Sequence, residues 1–91
     1  MVTMKNIFAF TLDTEIKFYD KGDVLFSDKG DTIGKILNCH KNEVMDDKVH
    51  YIYDVEATEE IYEMLKNEEI RIWKLDNYTV STCSTWYYYD N

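Results

Sequence analysis

The chain is 91 residues long, and its 18 Asp and Glu outweigh 10 Lys and Arg to leave a net charge of −8. That balance argues against direct binding to a phosphate backbone or to an anionic membrane, both of which select for Lys and Arg. Apolar residues at 45% and aromatics at 15% are too many for a disordered chain, the length suits a single domain over 1–91, and no apolar run reaches the about 18 residues of a membrane-spanning helix.

The opening alternates with period two. Phe8, Phe10 and Leu12 share one face, Ile7, Ala9 and Thr11 the other, which predicts a strand over 4–12. Past Asp13-Thr14, Ile16 and Phe18 alternate with Glu15 and Lys17, so a second strand at 15–19 is expected to close a hairpin. Asp20-Lys21-Gly22-Asp23 then recurs as Asp28-Lys29-Gly30-Asp31, enclosing Val24-Leu25-Phe26-Ser27. Gly admits φ > 0 and Asp caps its own turn, so each copy predicts a turn and the middle a short strand. A strand follows near 32–41, interrupted at Gly34-Lys35, and Val49, Tyr51, Tyr53 and Val55 line one face of another.

One helix is expected at about 58–67. Thr58 is a sound N-cap, Glu59 and Glu60 suit the first turn, Ala57, Ile61, Met64 and Leu65 share a face, and Asn67 is the expected left-handed C-terminal residue. Residues 70–75 and 78–83 flank Asp76-Asn77 as a second hairpin that would oppose Trp73 with Val80 and Leu75 with Tyr78. Trp86-Tyr87-Tyr88-Tyr89 ends the chain as a last strand. The expected fold is α+β, an antiparallel sheet of about six strands with one amphipathic helix packed on it. One helix cannot cover both faces of such a sheet, so a homodimer pairing through the second face is one remedy.

The charge is concentrated. Residues 1–19 and 70–91 are each neutral, and the whole excess of acid lies in 20–69. Glu56, Glu59, Glu60 and Glu63 follow i, i+3, i+4, i+7, a spacing that gathers them on one helical face with Cβ atoms roughly 5–6 Å apart, comparable to successive phosphates along a nucleic-acid strand. Asp20, Asp23, Asp28 and Asp31 in the turns, with Asp46 and Asp47, could extend that surface. A solvated helix face is the plainer explanation of the same pattern. Tyr62, Trp86 and Tyr88 are candidate aromatic contacts beside the acids, since Trp and Tyr are frequent interface anchors.

Other chemistry finds less support. The Asp-Lys-Gly-Asp spacing does not match a calcium loop, and Cys39, His40, His50 and Cys83 lack zinc-ligand spacing, so no metal is expected and the cysteines read as small apolar groups. Two histidines, one arginine and the absence of a Gly-rich phosphate loop leave no catalytic constellation and no cofactor cradle; His50 is the one acid–base candidate.

Pro, Arg, Gly and Ala are scarce while Tyr, Ile, Asn and Lys are plentiful, the codon signature of an AT-rich gene. In size, acidity and this composition the chain resembles phage-encoded DNA-mimic proteins of the anti-restriction and anti-CRISPR type, a likeness that carries no residue over. It implies a non-catalytic inhibitor acting in the cytoplasm of a bacterial host, with a basic nucleic-acid-binding protein as partner and neither nucleic acid nor membrane bound directly. The alternatives are a toxin-neutralising immunity protein or antitoxin, or a structural adaptor subunit.

Overall fold

The structure, a computed structural model, describes residues 2–43, 49–82 and 85–90, with side chains for 7–42 and 49–81. In chain order the elements are β1 (Val2–Ile7), β2 (Ala9–Thr14), β3 (Val24–Phe26), β4 (Thr32–Glu43), β5 (Val49–Glu56), α1 (Glu59–Lys66), β6 (Thr79–Thr82) and β7 (Thr85–Asp90). The architecture is α+β: a five-stranded antiparallel sheet of order β3-β4-β5-β2-β6 carrying one helix, beside a two-stranded sheet of β1 and β7. The principal sheet is thus one strand smaller than expected.

Both expected hairpins are absent, for one reason. β2 is occupied on both edges, by β5 through Thr11↔Asp54 and by β6 through Thr11↔Ser81. No edge remains for residues 15–19, and the Thr14 hydroxyl turns the chain away by donating to the Ile16 carbonyl at 2.7 Å. Residues 70–75 do not pair with 79–82 because those residues, β6, are paired with β2; Cys83 of the expected strand 78–83 lies outside the described residues. In 70–75 the period of two holds only through Trp73: Ile70, Ile72 and Leu75 face the core and Arg71, Trp73 and Lys74 the solvent, because Lys74 at φ 68° breaks the alternation and turns Leu75 inward. The segment docks instead on β3, with an isolated bridge Ser27↔Ile72 and a bond from Trp73 N–H to the Phe26 carbonyl of 2.9 Å. Arg71 closes it by donating to the Asp76 carbonyl and lying over the Tyr78 ring.

The two Asp-Lys-Gly-Asp turns form as expected, with Gly22 at φ 95° and Gly30 at φ 89°. Helix α1 starts where expected, the Thr58 hydroxyl accepting the Ile61 N–H at 3.1 Å. Its end differs. Asn67 has φ −85°, and the left-handed residue is Glu68 at φ 60°. Glu68 N–H then reaches the Leu65 carbonyl and Glu69 N–H the Met64 carbonyl, the paired bonds of a Schellman termination.

The core lies on the sheet face covered by α1 and the 70–75 segment. Phe10 and Leu12 of β2, Leu25 of β3, Ile33 and Ile36 of β4 and Tyr53 and Val55 of β5 meet Tyr62 and Leu65 of the helix and Ile70, Ile72 and Leu75 beyond it. Gly34 is required here: a Cβ would meet the carbonyl oxygen of Glu56. Cys39 lies opposite Tyr53, half-buried and packed against this core; Cys83 falls outside the described residues. On the other sheet face, His40, Ile52, Asp13 and Thr79 form one cross-strand row and Asn38, Asp54, Thr11 and Ser81 the next. An antiparallel sheet tolerates water on such a polar face.

Candidate functional site

Three features carry exposed chemistry. The first is the helix surface. Burial of Tyr62 and Leu65 fixes the rotation of α1, and this turns Glu59, Glu60 and Glu63 outward, all exposed. Among the described residues the ion pairs are Lys17–Asp20, His40–Asp54 and His50–Asp13, so these three carboxylates have no salt-bridge partner. Glu56 does not complete the stripe. It precedes the helix as the last residue of β5, opposite Ala9 and Lys35, because the chain must leave the sheet before Thr58 can cap. Tyr62 is not on this surface either: it is 8% exposed and its ring packs against Phe8 and Phe10, with centroids 5.8 and 6.1 Å away.

The turn acids are exposed but are also used locally. Asp23 accepts the Asp20 N–H at 2.8 Å, Asp20 binds the Lys17 ammonium at 2.7 Å, and Asp28 accepts the Arg71 N–H at 3.3 Å. The Asp20 hydrogen bond and charge hold the Lys17 ammonium above its ordinary range. The 28–31 turn is tied toward the helix terminus by Lys29, whose ammonium donates to the Glu69 carbonyl at 3.5 Å. Asp46 and Asp47 lie outside the described residues. Trp86 and Tyr88 lie on β7 opposite Asn6 and Met4, and their side chains lie outside the described residues.

The second feature joins β2 and β5. His50 Nδ1 and Asp13 Oδ1 are 2.7 Å apart beside a cleft of about 130 Å³ lined by Glu15, Tyr78 and Thr79. Asp13 fixes the imidazole orientation and leaves Nε2 as the nitrogen it does not engage. The sequence marks His50 but not its partner, since the β2–β5 pairing that brings Asp13 to it joins strands far apart in the chain. Among the described residues no three His, Cys, Asp or Glu side chains gather to hold a metal ion.

The third feature was not anticipated. Ile16, Phe18, Val24, Phe26 and Trp73 are 65%, 47%, 43%, 44% and 54% exposed. Four of them, with Tyr19 and Lys74, line a groove of about 230 Å³. The alternation of β3 held the signal: Leu25 is buried, yet its outward-facing neighbours Val24 and Phe26 are apolar where solvent would favour polar side chains. Phe18 is held by a 3.0 Å bond from its N–H to the Tyr53 hydroxyl, and Tyr19 meets the Tyr53 ring edge-on at 5.8 Å. Burial raises the Tyr19 phenol above its usual range, with the charges of Tyr53, Asp23 and Tyr78 adding to the effect.

Among the described residues no helix is long and apolar enough to cross a membrane. No protein-family model, curated protein or solved structure matches the chain.

Proposed function

We propose that the protein is a small non-catalytic inhibitor, phage-encoded and acting in the cytoplasm of a bacterial host, that occupies a basic nucleic-acid-binding defence protein in place of nucleic acid. The observation that supports this reading is the outward face of α1, where Glu59, Glu60 and Glu63 are exposed, lack ion pairs and sit on a helix anchored from behind by Tyr62 and Leu65. Neighbours at these spacings have Cβ atoms roughly 5–6 Å apart, close to the interval of phosphates that Lys and Arg of a nucleic-acid cleft are placed to meet. With a net charge of −8, the field of the whole chain would steer such an encounter.

Affinity capture from host lysate tests the proposal, with the wild type beside a Glu59→Lys, Glu60→Lys, Glu63→Lys variant. The expected result is retention of one nucleic-acid-binding protein by the wild type, its release by salt or excess DNA, and its loss with the variant. Equal retention of the same partner by both, whatever the salt, would reduce the glutamates to a solvated face.

A further inference from the structure

The geometry points to the groove between Phe18, Val24, Phe26 and Trp73 as a docking site for a short segment of a partner protein, one that carries a large apolar side chain flanked by Lys or Arg. None of these residues lies on α1, so the site is distinct from the glutamate face and does not depend on its proposed role.

The groove is part of a longer trough. A hollow of about 150 Å³ adjoins it through Phe18 and Lys74 and ends on Glu15 and Asp76. A hollow of about 360 Å³ adjoins the opposite side through Phe26 and Trp73 and ends on Asp28. Apolar walls thus run between Glu15 and Asp76 at one end and Asp28 at the other, with Lys74 and Lys29 also on the lining. Lys17 is neutralised by Asp20, while Lys29 reaches the Glu69 carbonyl and Lys74 lies over the Trp73 ring at 4.5 Å with their charges intact, so three carboxylates face two ammonium groups along the trough. A ligand Lys or Arg would take the place of Lys74 over the indole, a face that holds a cation.

Size and charge select the occupant. Phe and Trp side chains offer about 150–250 Å² each, so three rings about half exposed, with Ile16 and Val24, present on the order of 400 Å² of apolar surface. A stable dimer needs roughly 600–1,000 Å² from each partner, a little over half of it apolar, so area by itself does not exclude a second copy and charge decides. A second copy would also bring another −8 charge against the first. One or two anchoring side chains with basic flanks suit the patch and the acidic chain around it. The walls are set before binding, because Phe18 is tied to Tyr53 and Trp73 to the Phe26 carbonyl, so little ordering cost falls on the protein.

The test is an amide and indole NMR titration of the whole chain with three blocked peptides: Arg-Arg-Leu-Trp-Arg-Arg, the same peptide with Glu for every Arg, and Arg-Arg-Gly-Ser-Arg-Arg. The first is expected to shift the Trp73 indole N–H and the amides of Phe18, Val24 and Phe26, and the other two to leave them in place. Trp73→Ala and, independently, Val24→Thr should each weaken binding, Trp73→Ala by at least about tenfold. Both positions are exposed, and the amide spectrum reports that each variant is folded. The charge-neutralising Glu59→Gln, Glu60→Gln, Glu63→Gln variant, compared at about 0.15 M salt where exposed charges beyond the roughly 8 Å screening length count little, should still shift the same groove residues, so failure of the helix proposal and failure of this one are separable. The inference is overturned by no shift at about 1 mM peptide, a ceiling already weaker than useful recognition. It is equally overturned by equal binding of the acidic peptide, by binding that survives Trp73→Ala, or by concentration-dependent shifts of the same residues without peptide, which would assign the groove to a second copy.

Discussion

Replacing Tyr53 by Phe removes one oxygen from the centre of the molecule and tests how the groove wall is held. The Tyr53 ring is fully buried, so Phe keeps its packing. What is lost is the acceptor for the Phe18 N–H, 3.0 Å away, and a weaker 3.5 Å contact with the Thr14 hydroxyl, which retains its 2.7 Å bond to the Ile16 carbonyl. One net hydrogen bond contributes about 1 kcal/mol, and because Phe18 is half exposed, water can reach its freed N–H and hold the loss near that value. For a domain of this size the melting temperature should fall by roughly 4–8 °C. Tyr53→Ala, by contrast, opens a cavity and should cost about 3–5 kcal/mol. Urea unfolding measures both variants, and hydrogen exchange at the Phe18 amide should accelerate in Tyr53→Phe while exchange in β2 and β5 stays slow. If Tyr53→Phe matched the wild type to within about 0.3 kcal/mol with Phe18 exchange unchanged, the hydroxyl would not be what holds residues 15–19 in place.

Gly34→Ala should cost about 2–3 kcal/mol in urea unfolding, because the added methyl meets the Glu56 carbonyl oxygen and lies within 3.2 Å of the Val55 and Ala57 side chains. Gly22→Ala has open space and should lose only about 1 kcal/mol, from its φ of 95°. Glu68→Gly should raise stability by about 1 kcal/mol by relieving a left-handed non-glycine residue at the helix end, seen as a higher thermal midpoint. Thr58→Ala should lower stability by about 1 kcal/mol, since the Ile61 N–H loses its cap. Above pH 10 stability should fall: the Tyr19 phenol is raised by burial, so the unfolded chain loses that proton first and gains on the native state until pH passes the folded value. Lys17 acts in the same direction, and Tyr19→Phe should flatten the alkaline slope of the urea midpoint.

Local chemistry was the legible part of the fold. Gly22, Gly30, Thr58 and the β5 alternation act through neighbours a few residues away, and each appears as expected. The hairpins at Asp13-Thr14 and Asp76-Asn77 failed because a period of two reports which side chains are buried and says nothing about which strand lies alongside. Ile70 and Ile72 alternate with Arg71 and Trp73 as a strand would, yet the segment makes only an isolated bridge and Lys74 at φ 68° ends the period before Leu75. Within the candidate site, Glu59, Glu60 and Glu63 were readable because one helical face suffices to bring them together. Tyr62 was misplaced because an aromatic among glutamates looks like surface until Phe8 and Phe10 are known to lie beneath it. The groove was hidden because Phe18, Phe26 and Trp73 come from three separate segments, and each alone has the hydrophobicity of a core residue.

The interior position of β2, with a neighbour on each edge, has a kinetic consequence. This strand is among the first made, yet Thr11 finds one neighbour at Asp54 and the other at Ser81. Its pairing requires closure of two long loops, an entropic barrier that slows folding relative to a chain of local hairpins. During synthesis Phe10 and Leu12 must wait uncovered until α1 and residues 70–75 emerge, and a nascent chain halted before Thr79 would still present one β2 edge for pairing with other chains. Rapid completion of translation, or a chaperone that shields this early strand, would protect the chain during that interval.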